Sequence, residues 1–336
     1  VRFSQYEHEA AFALQAVRTT ARFVRHIQEH MVVPSVAKKD ASPVTVADFA
    51  SQAVVAAMLE QTFPDDPLVA EEGSRALREA TGQALLQSVV EFVSLIRPGA
   101  DEAKVCDWID RGTAAAADRF WVLDPIDGTK GFLRGDQYAV AVALVHAGQV
   151  VVGALGCPGL SPSDDAHTTK GGGYLAVRGQ GAWAADLEDG DLTPIHVSDR
   201  QDPSRARVLR SFEAAHTDES LLDRLAETLG CSEPPIRMDS QAKYAVLAQG
   251  GAELIFRLLS PARPNYREKI WDQAAGSIIV EEAGGRVTDL AGHPLDFTTG
   301  RELVNNIGVL VSNGSLHGAA RRALDAVGAV RRQRTS

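Results

Sequence analysis

Asp124-Pro125-Ile126-Asp127-Gly128-Thr129 is the stretch around which the rest of this 336-residue chain is read. Phe120-Trp121-Val122-Leu123 precedes it as a short apolar, β-favouring run, so a strand is expected to end at Asp124-Pro125. Asp127 follows across a turn shaped by Pro125 and Gly128. Two carboxylates and the free carbonyl of Ile126 can then converge on hard cations, which prefer oxygen ligands. The amides of Gly128 and Thr129 are placed to open a helix and face a phosphate. The bland alternative is that Pro-x-Asp-Gly is only a turn, because Asp and Gly are common turn residues.

Outward from this stretch the pattern is mixed α and β. Downstream, Tyr138–Val145 and Val150–Leu155 flank Ala147-Gly148 as a hairpin. Ala139, Ala141 and Ala143 alternate with larger residues, so one sheet face should lie close under a helix. Ser161–Gly173 reads as loop, and Tyr174–Val177 with Ala182–Ala184 as a second hairpin. Upstream, Leu68-Val69-Ala70 is a short strand ending at Glu71-Glu72-Gly73, followed by a helical pattern over 75–97. Apolar residues from Ala10 to Met31 recur at three- and four-residue steps, which predicts a long amphipathic helix. A second helix is expected from Val46 to Leu59, with Thr45 as N-cap. A composition shift near Leu192–His196 suggests a boundary between an α+β half, residues 1–193, and an α/β half, residues 194–336. In the latter, strands at 208–211, 235–238 and 254–258 alternate with helices at 218–229 and 241–249. A helix from Trp271 to Ala283 stops at Gly284-Gly285.

Bulk composition narrows the function classes. The net charge of −10 argues against coating nucleic acid or an anionic membrane, while leaving a small anionic substrate open. The longest apolar run, Tyr138–Val145, is too short to cross a bilayer. Cys106, Cys157 and Cys231 form no Cys-x-x-Cys pair, which suits a reducing compartment. A cytoplasmic monomer is expected, with no polymer or membrane partner.

Other carboxylates are unremarkable singly. Glu71-Glu72 can be a solvated rim. Asp48 completes Thr45-x-x-Asp48, which looks like a capping box. Asp272, in Trp271-Asp272-Gln273-Ala274-Ala275-Gly276, can merely complement a helix dipole. Their order, Asp48, Glu71, Asp124, Asp127, Thr129, Asp272, is more telling. At Asp124–Thr129 and Trp271–Gly276 the chain resembles the inositol monophosphatase superfamily. The resemblance implies a layered αβαβα sandwich and up to three Mg²⁺ ions. It implies metal ligands at Glu71, Asp124, the Ile126 carbonyl, Asp127 and Asp272. It also implies a catalytic role for Asp48 and Thr129 on the attacking water, with Glu71 sharing a weaker, lithium-sensitive metal position.

Longer matches resemble the 3′(2′),5′-bisphosphate nucleotidase family within that superfamily. They are Ser42–Asp48, Asp124–Gly135, Glu213-Ala214-Ala215-His216, Asp239–Tyr244 and Glu268–Asp272, together with the long insertion between Glu71 and Asp124. Gly73 and the Pro- and Arg-rich loop Ser260–Arg267 depart from the family pattern. The implied reaction is hydrolysis of adenosine 3′,5′-bisphosphate to AMP and phosphate, with the sulfated nucleotide as a second candidate substrate. Gly128 and Thr129 would face the reacting phosphate. Ser240, Lys243 and Arg257 would hold the other, and His216 would stack on the base. His216 as a surface residue and Arg257 as an ion-pair partner are the bland readings. An inositol polyphosphate 1-phosphatase using the same carboxylates is the alternative enzyme. A non-catalytic nucleotide sensor on a phosphatase fold would require loss of a metal carboxylate, and none is lost.

Overall fold

The computed structural model describes residues 1–30, 35–37, 43–161, 171–188, 190–212, 218–260, 263 and 265–329. The amphipathic N-terminal pattern forms α1 (Glu7–His30). Short antiparallel strands β1 (Ser35–Ala37) and β2 (Pro43–Thr45) lead into α2 (Val46–Thr62), which Thr45 caps as expected. After β3 (Leu68–Ala70) the helix expected over 75–97 is interrupted. α3 (Arg75–Arg78) gives way to a 3₁₀ turn at Ala80–Gly82 before α4 (Gln83–Ile96) begins. Thr81 and Gly82 are weak helix formers. Gly82 also lies so close to the preceding turn that a Cβ would come within 2.0 Å of the Ala76 carbonyl. α5 (Glu102–Arg111) is a further helix, not among those expected above, although its apolar residues do recur at helical spacing. Asp101 caps it, accepting the Lys104 amide at 2.8 Å, and Val105, Cys106, Trp108 and Ile109 form its buried side.

β4 (Arg119–Asp127) runs past the expected stop at Asp124 and is followed by α6 (Thr129–Arg134). The hairpins appear as β5 (Ala139–His146) with β6 (Gln149–Cys157), and β7 (Gly172–Val177) with β8 (Ala182–Asp186). β9 (Thr193–Ile195) is the last strand of this sheet. The second half contains β10 (Val208–Arg210), α7 (Glu219–Leu229), β11 (Ile236–Arg237), α8 (Ala242–Ala248) and β12 (Leu254–Arg257). The helix expected from Trp271 starts later. Ile270–Asp272 is a 3₁₀ turn, Gln273 departs from helical backbone at φ −127°, and α9 spans Ala274–Glu282. β13 (Arg286–Thr288), β14 (Val309–Ser312) and α10 (His317–Ala326) complete the described chain.

Beside the β1-β2 pair, two large sheets form among the described residues, in the orders β3-β4-β5-β6-β7-β8-β9 and β11-β10-β12-β14-β13. In the first, β3 and β4 are parallel and the remaining pairs antiparallel. Strand alternation sorts the side chains into layers. Trp121 and Leu123 of β4 pack with α1, α2, α4 and α5, whereas Phe120 and Val122 face α8 and α9. Ile255 and Val311 of the second sheet join that middle layer, while Leu254, Phe256 and Leu310 pack against α7 and α10. The result is the αβαβα stack. The small residues of β5 behave as expected: Ala139, Ala141 and Ala143 share the core with Ala274, Ala275 and Ile278 of α9. On β6 a Cβ at Gly153 would lie 2.3 Å from Ile278, so that helix seats directly on the sheet.

Candidate active site

The site begins where β4 loses regularity. Asp124 pairs with Ala141 and Asp127 with Ala139, so three steps on β4 oppose two on β5. In an undisturbed strand, residues an odd number apart point to opposite faces. The extra residue of a bulge cancels that alternation and brings both aspartates to one side. Pro125 suits the irregular step because it has no amide to pair. The Ile126 amide turns back onto Asp124 Oδ1 at 3.1 Å, and Asp124 is buried. Gly128 then adopts φ +88°, a left-handed conformation that releases the chain into α6. A Cβ there would sit 2.9 Å from that of Ser240.

Asp48 serves two partners at once. Its Oδ2 accepts the Thr45 amide at 2.7 Å, and its own amide donates to Thr45 Oγ1 at 3.3 Å, which is the capping box; Oδ2 also accepts the Thr45 hydroxyl at 2.6 Å. Its Oδ1 lies 3.3 Å from Thr129 Oγ1, which is also 3.2 Å from the Ile126 carbonyl. The structural and chemical readings of Asp48 are therefore compatible: one oxygen fixes α2 and the other faces Thr129.

Glu71, Asp127, Gly128, Thr129, Ser240, Lys243, Arg257 and Asp272 line one cleft of about 210 Å³. Asp48, Asp124 and Ile126 lie buried at its edge. Burial and then the charges of Glu71, Asp127, Asp272 and Asp48 push the Asp124 carboxyl well above the usual carboxylate range. Burial also raises Asp272, with Arg257 opposing. Burial raises Asp127, opposed by Lys243, Arg257 and the Gln241 amide, which donates to Asp127 Oδ2 at 2.7 Å. Carboxylates held together in this way repel unless protons or cations neutralise them. Their donor type, all oxygen, fits Mg²⁺-like ions better than softer metals. Among the described residues no three His, Cys, Asp or Glu side chains already surround a point as a finished metal site. The reason is local: Asp127 is turned onto Gln241, Asp124 onto Ile126, and Asp272 towards Arg257 at 3.6 Å. The chemistry of the donor set, carboxylate and carbonyl oxygens, fits such ions.

The opposite wall is basic. Lys243 is buried and donates to Ser211 Oγ at 3.2 Å. Burial, followed by the neighbouring Arg257 charge, brings its pKa down to about 8. Ser240 sits just before α8 with φ +67°, rare for a residue with a side chain, and its hydroxyl accepts the Ala242 amide at 3.2 Å. Lys243 thus pairs with Ser211 instead of Ser240. Arg257 ends β12 as expected and makes the ion pair of its bland reading, 2.8 Å from Glu268. Burial weakens its charge, but Glu268 and Asp272 more than offset that and raise its pKa. His216 lies outside the described residues.

Sequence spacing missed Ser211, Tyr266 and Gln241. Gln241 is fully buried, donates its side-chain amide to the Trp271 carbonyl at 2.9 Å and accepts the Gly276 amide at 3.0 Å. It therefore joins Asp127 to the turn carrying Asp272. Only its place beside Ser240 in the Asp239–Tyr244 match pointed to it.

An αβαβα stack with a carboxylate cluster by the end of β4 points to a phosphatase-type fold, and the chain belongs to the inositol monophosphatase family, whose sequence model matches residues 4–329. It is similar to a 3′(2′),5′-bisphosphate nucleotidase of Schizosaccharomyces pombe, 40% identical over 327 residues, covering 91% of this chain and 92% of that protein. A protein of the same name from Oryza sativa is 40% identical over 331 residues, covering 93% and 92%. Among solved structures, an IMPase from Thermotoga maritima aligns over 97% of this chain and 99% of its own, with TM-score 0.66 and 21% identity. CysQ from Bacteroides thetaiotaomicron, a bacterial member of the inositol monophosphatase family, aligns over 92% and 98%, with TM-score 0.61 and 22% identity.

Proposed function

We propose that this chain is a Mg²⁺-dependent phosphatase that removes the 3′-phosphate of adenosine 3′,5′-bisphosphate, leaving AMP. The observation that carries the reading is the single cleft shared by a carboxylate set, Glu71, Asp127 and Asp272, and a cationic set, Lys243 and Arg257. The carboxylates suit a reacting phosphate held with metal, and the cations beside them suit a second phosphate that needs its own positive partner. The names of the two relatives above support the nucleotide over an inositol phosphate.

Glu71, Asp124, the Ile126 carbonyl, Asp127 and Asp272 would hold the Mg²⁺ ions, up to three of them. Bound there, the ions supply charge neutralisation for the phosphoryl group and favour ionisation of water. The chain's own residues do the rest. Thr129 Oγ1, within reach of Asp48 Oδ1, positions the attacking water and passes its proton towards the Asp48 carboxylate. The water oxygen bonds to phosphorus as the bond to the 3′-oxygen breaks, and that oxygen leaves with a proton from solvent. Lys243 and Arg257, with Ser240 beside them, orient the 5′-phosphate, and His216 stacks on the base. The free thiols of Cys106, Cys157 and Cys231 suit a reducing, cytoplasmic setting.

A phosphate-release panel tests this, using adenosine 3′,5′-bisphosphate and its sulfated form, 5′-AMP, inositol phosphates and fructose 1,6-bisphosphate. The nucleotide bisphosphate should be the best substrate. A higher kcat/KM on inositol 1,4-bisphosphate would overturn the substrate assignment in favour of the inositol polyphosphate reading.

A further inference from the structure

We propose that Arg301 is a positioning residue that ties the turn carrying Glu71 to the turn carrying Asp272, so that both carboxylates are presented to one metal centre. The proposal rests on the carboxylate reading above. Arg301 lies far from both turns in sequence. Its segment runs antiparallel to the one leading into Asp272, with a bridge between Lys269 and Glu302. The Ile270 amide donates to the Arg301 carbonyl at 3.1 Å, and the Leu303 amide to Glu268 at 2.9 Å. From this anchor the side chain crosses to the other half of the site.

There each terminal nitrogen of the guanidinium meets a backbone carbonyl. One terminal nitrogen donates to the carbonyl of Ala70, the residue before Glu71. The other donates to the Gly112 carbonyl at 3.1 Å. Gly112 itself accepts the Ala70 amide at 2.8 Å. The guanidinium carbon lies 4.7 Å over the Trp271 ring, the residue before Asp272. One planar group therefore touches the neighbour of each carboxylate. Burial disfavours the Arg301 charge, and the nearby Glu71 carboxylate favours it.

One feature makes the link specific to arginine, and another separates it from the folding of the turn itself. A planar fork reaches two carbonyls while its face covers an indole, which a lysine ammonium cannot do. The Glu71 turn is also held independently on its far side. Gln52 donates to the Glu72 and Ile109 carbonyls, both at 2.7 Å, and accepts the Glu72 amide at 3.0 Å. Ser74 donates its amide to Asp110 Oδ1 at 2.8 Å and its hydroxyl to Oδ2 at 2.7 Å. Loss of Arg301 therefore leaves the turn folded and releases only its tie to Asp272.

The test uses the full chain with R301K, R301Q and, as a control on the carboxylates, D272N. Two readouts are taken without substrate: Tm in excess chelator, and the rise of Tm on Mg²⁺ titration. A third is the Mg²⁺ concentration giving half-maximal phosphate release. R301K should need about 10–100-fold more Mg²⁺ in both titrations, whatever it loses in Tm in chelator, and recover most of its kcat at saturating Mg²⁺. R301Q should do the same, and R301K decides alone where R301Q is too unstable to purify. A lower Tm in chelator with an unchanged Mg²⁺ requirement would make Arg301 a plain structural staple and overturn the proposal. D272N should lose the Mg²⁺ response. If it keeps a wild-type response, the carboxylate reading fails and the Arg301 proposal falls with it.

Discussion

At the scale of single residues, the chemistry turns on side chains with divided allegiance. Asp48 Oδ2 is spent on the Thr45 cap and Oδ1 faces Thr129. D48N keeps a capping oxygen but loses the basic one. We expect kcat to fall by about 10²–10⁴-fold, the range for a lost acid–base group, with the Mg²⁺ requirement nearly unchanged. T129A should behave similarly, and stopped assays at saturating Mg²⁺ check both. Unchanged turnover in the pair would return Asp48 to its cap alone. Lys243 is the other informative residue, a buried ammonium that donates to the Ser211 hydroxyl at 3.2 Å. Losing one charge-assisted contact should cost about 1.5–3 kcal/mol, or roughly 10–150-fold in kcat/KM. K243A should impose that loss on adenosine 3′,5′-bisphosphate and spare adenosine 3′-monophosphate. Equal losses on both would mean that Lys243 does not read the second phosphate.

At the scale of elements, the bulged end of β4 and the turn after it set the geometry. Gly128 has φ +88° and no room for a Cβ beside Ser240. G128A should therefore destabilise the fold by about 1–2 kcal/mol, read from urea unfolding, and lower activity further by shifting Thr129. α10 offers a separate check on the second half. His317 lies between Ser312 Oγ at 2.8 Å and Thr288 Oγ1 at 3.2 Å. Burial, then the Arg286 and Arg321 charges, lowers its pKa from 6.5 to about 4. The unfolded chain takes up this proton first as pH falls. Its contribution is intact above pH 6.5 and is lost progressively as the pH drops towards 4. H317Q should flatten that part of the unfolding free energy against pH, and an unchanged slope would remove His317 from the account. Most elements were legible because strand alternation and helical periodicity follow directly from burial. Legibility failed where geometry overrides pattern. β4 runs on through Asp127 because a bulge absorbs Pro125. The 75–97 helix breaks at Ala80–Gly82. α9 starts only at Ala274, leaving Asp272 in a 3₁₀ turn.

At the scale of the molecule, the two large sheets share the middle helices α8 and α9, and Glu71 and Asp127 of the first half meet Asp272, Lys243 and Arg257 of the second in one cleft. The site residues were legible as a set because their order along the chain resembles a known family, not because any one of them stands out. The long-range ties were not legible. Arg301 on Ala70 and Gly112, and Gln241 on Trp271, join residues whose separation leaves no periodic or compositional trace. Such ties make metal and substrate binding properties of the folded whole, so Ca²⁺, larger and more loosely coordinated, should bind yet inhibit. The most direct measurement follows which phosphate leaves adenosine 3′,5′-bisphosphate, with the nucleotide product identified by ³¹P NMR or chromatography, in Mg²⁺ and in excess chelator. We expect 5′-AMP and inorganic phosphate in Mg²⁺ and no turnover in chelator. Release of the 5′-phosphate, or full turnover in chelator, would contradict the assignment.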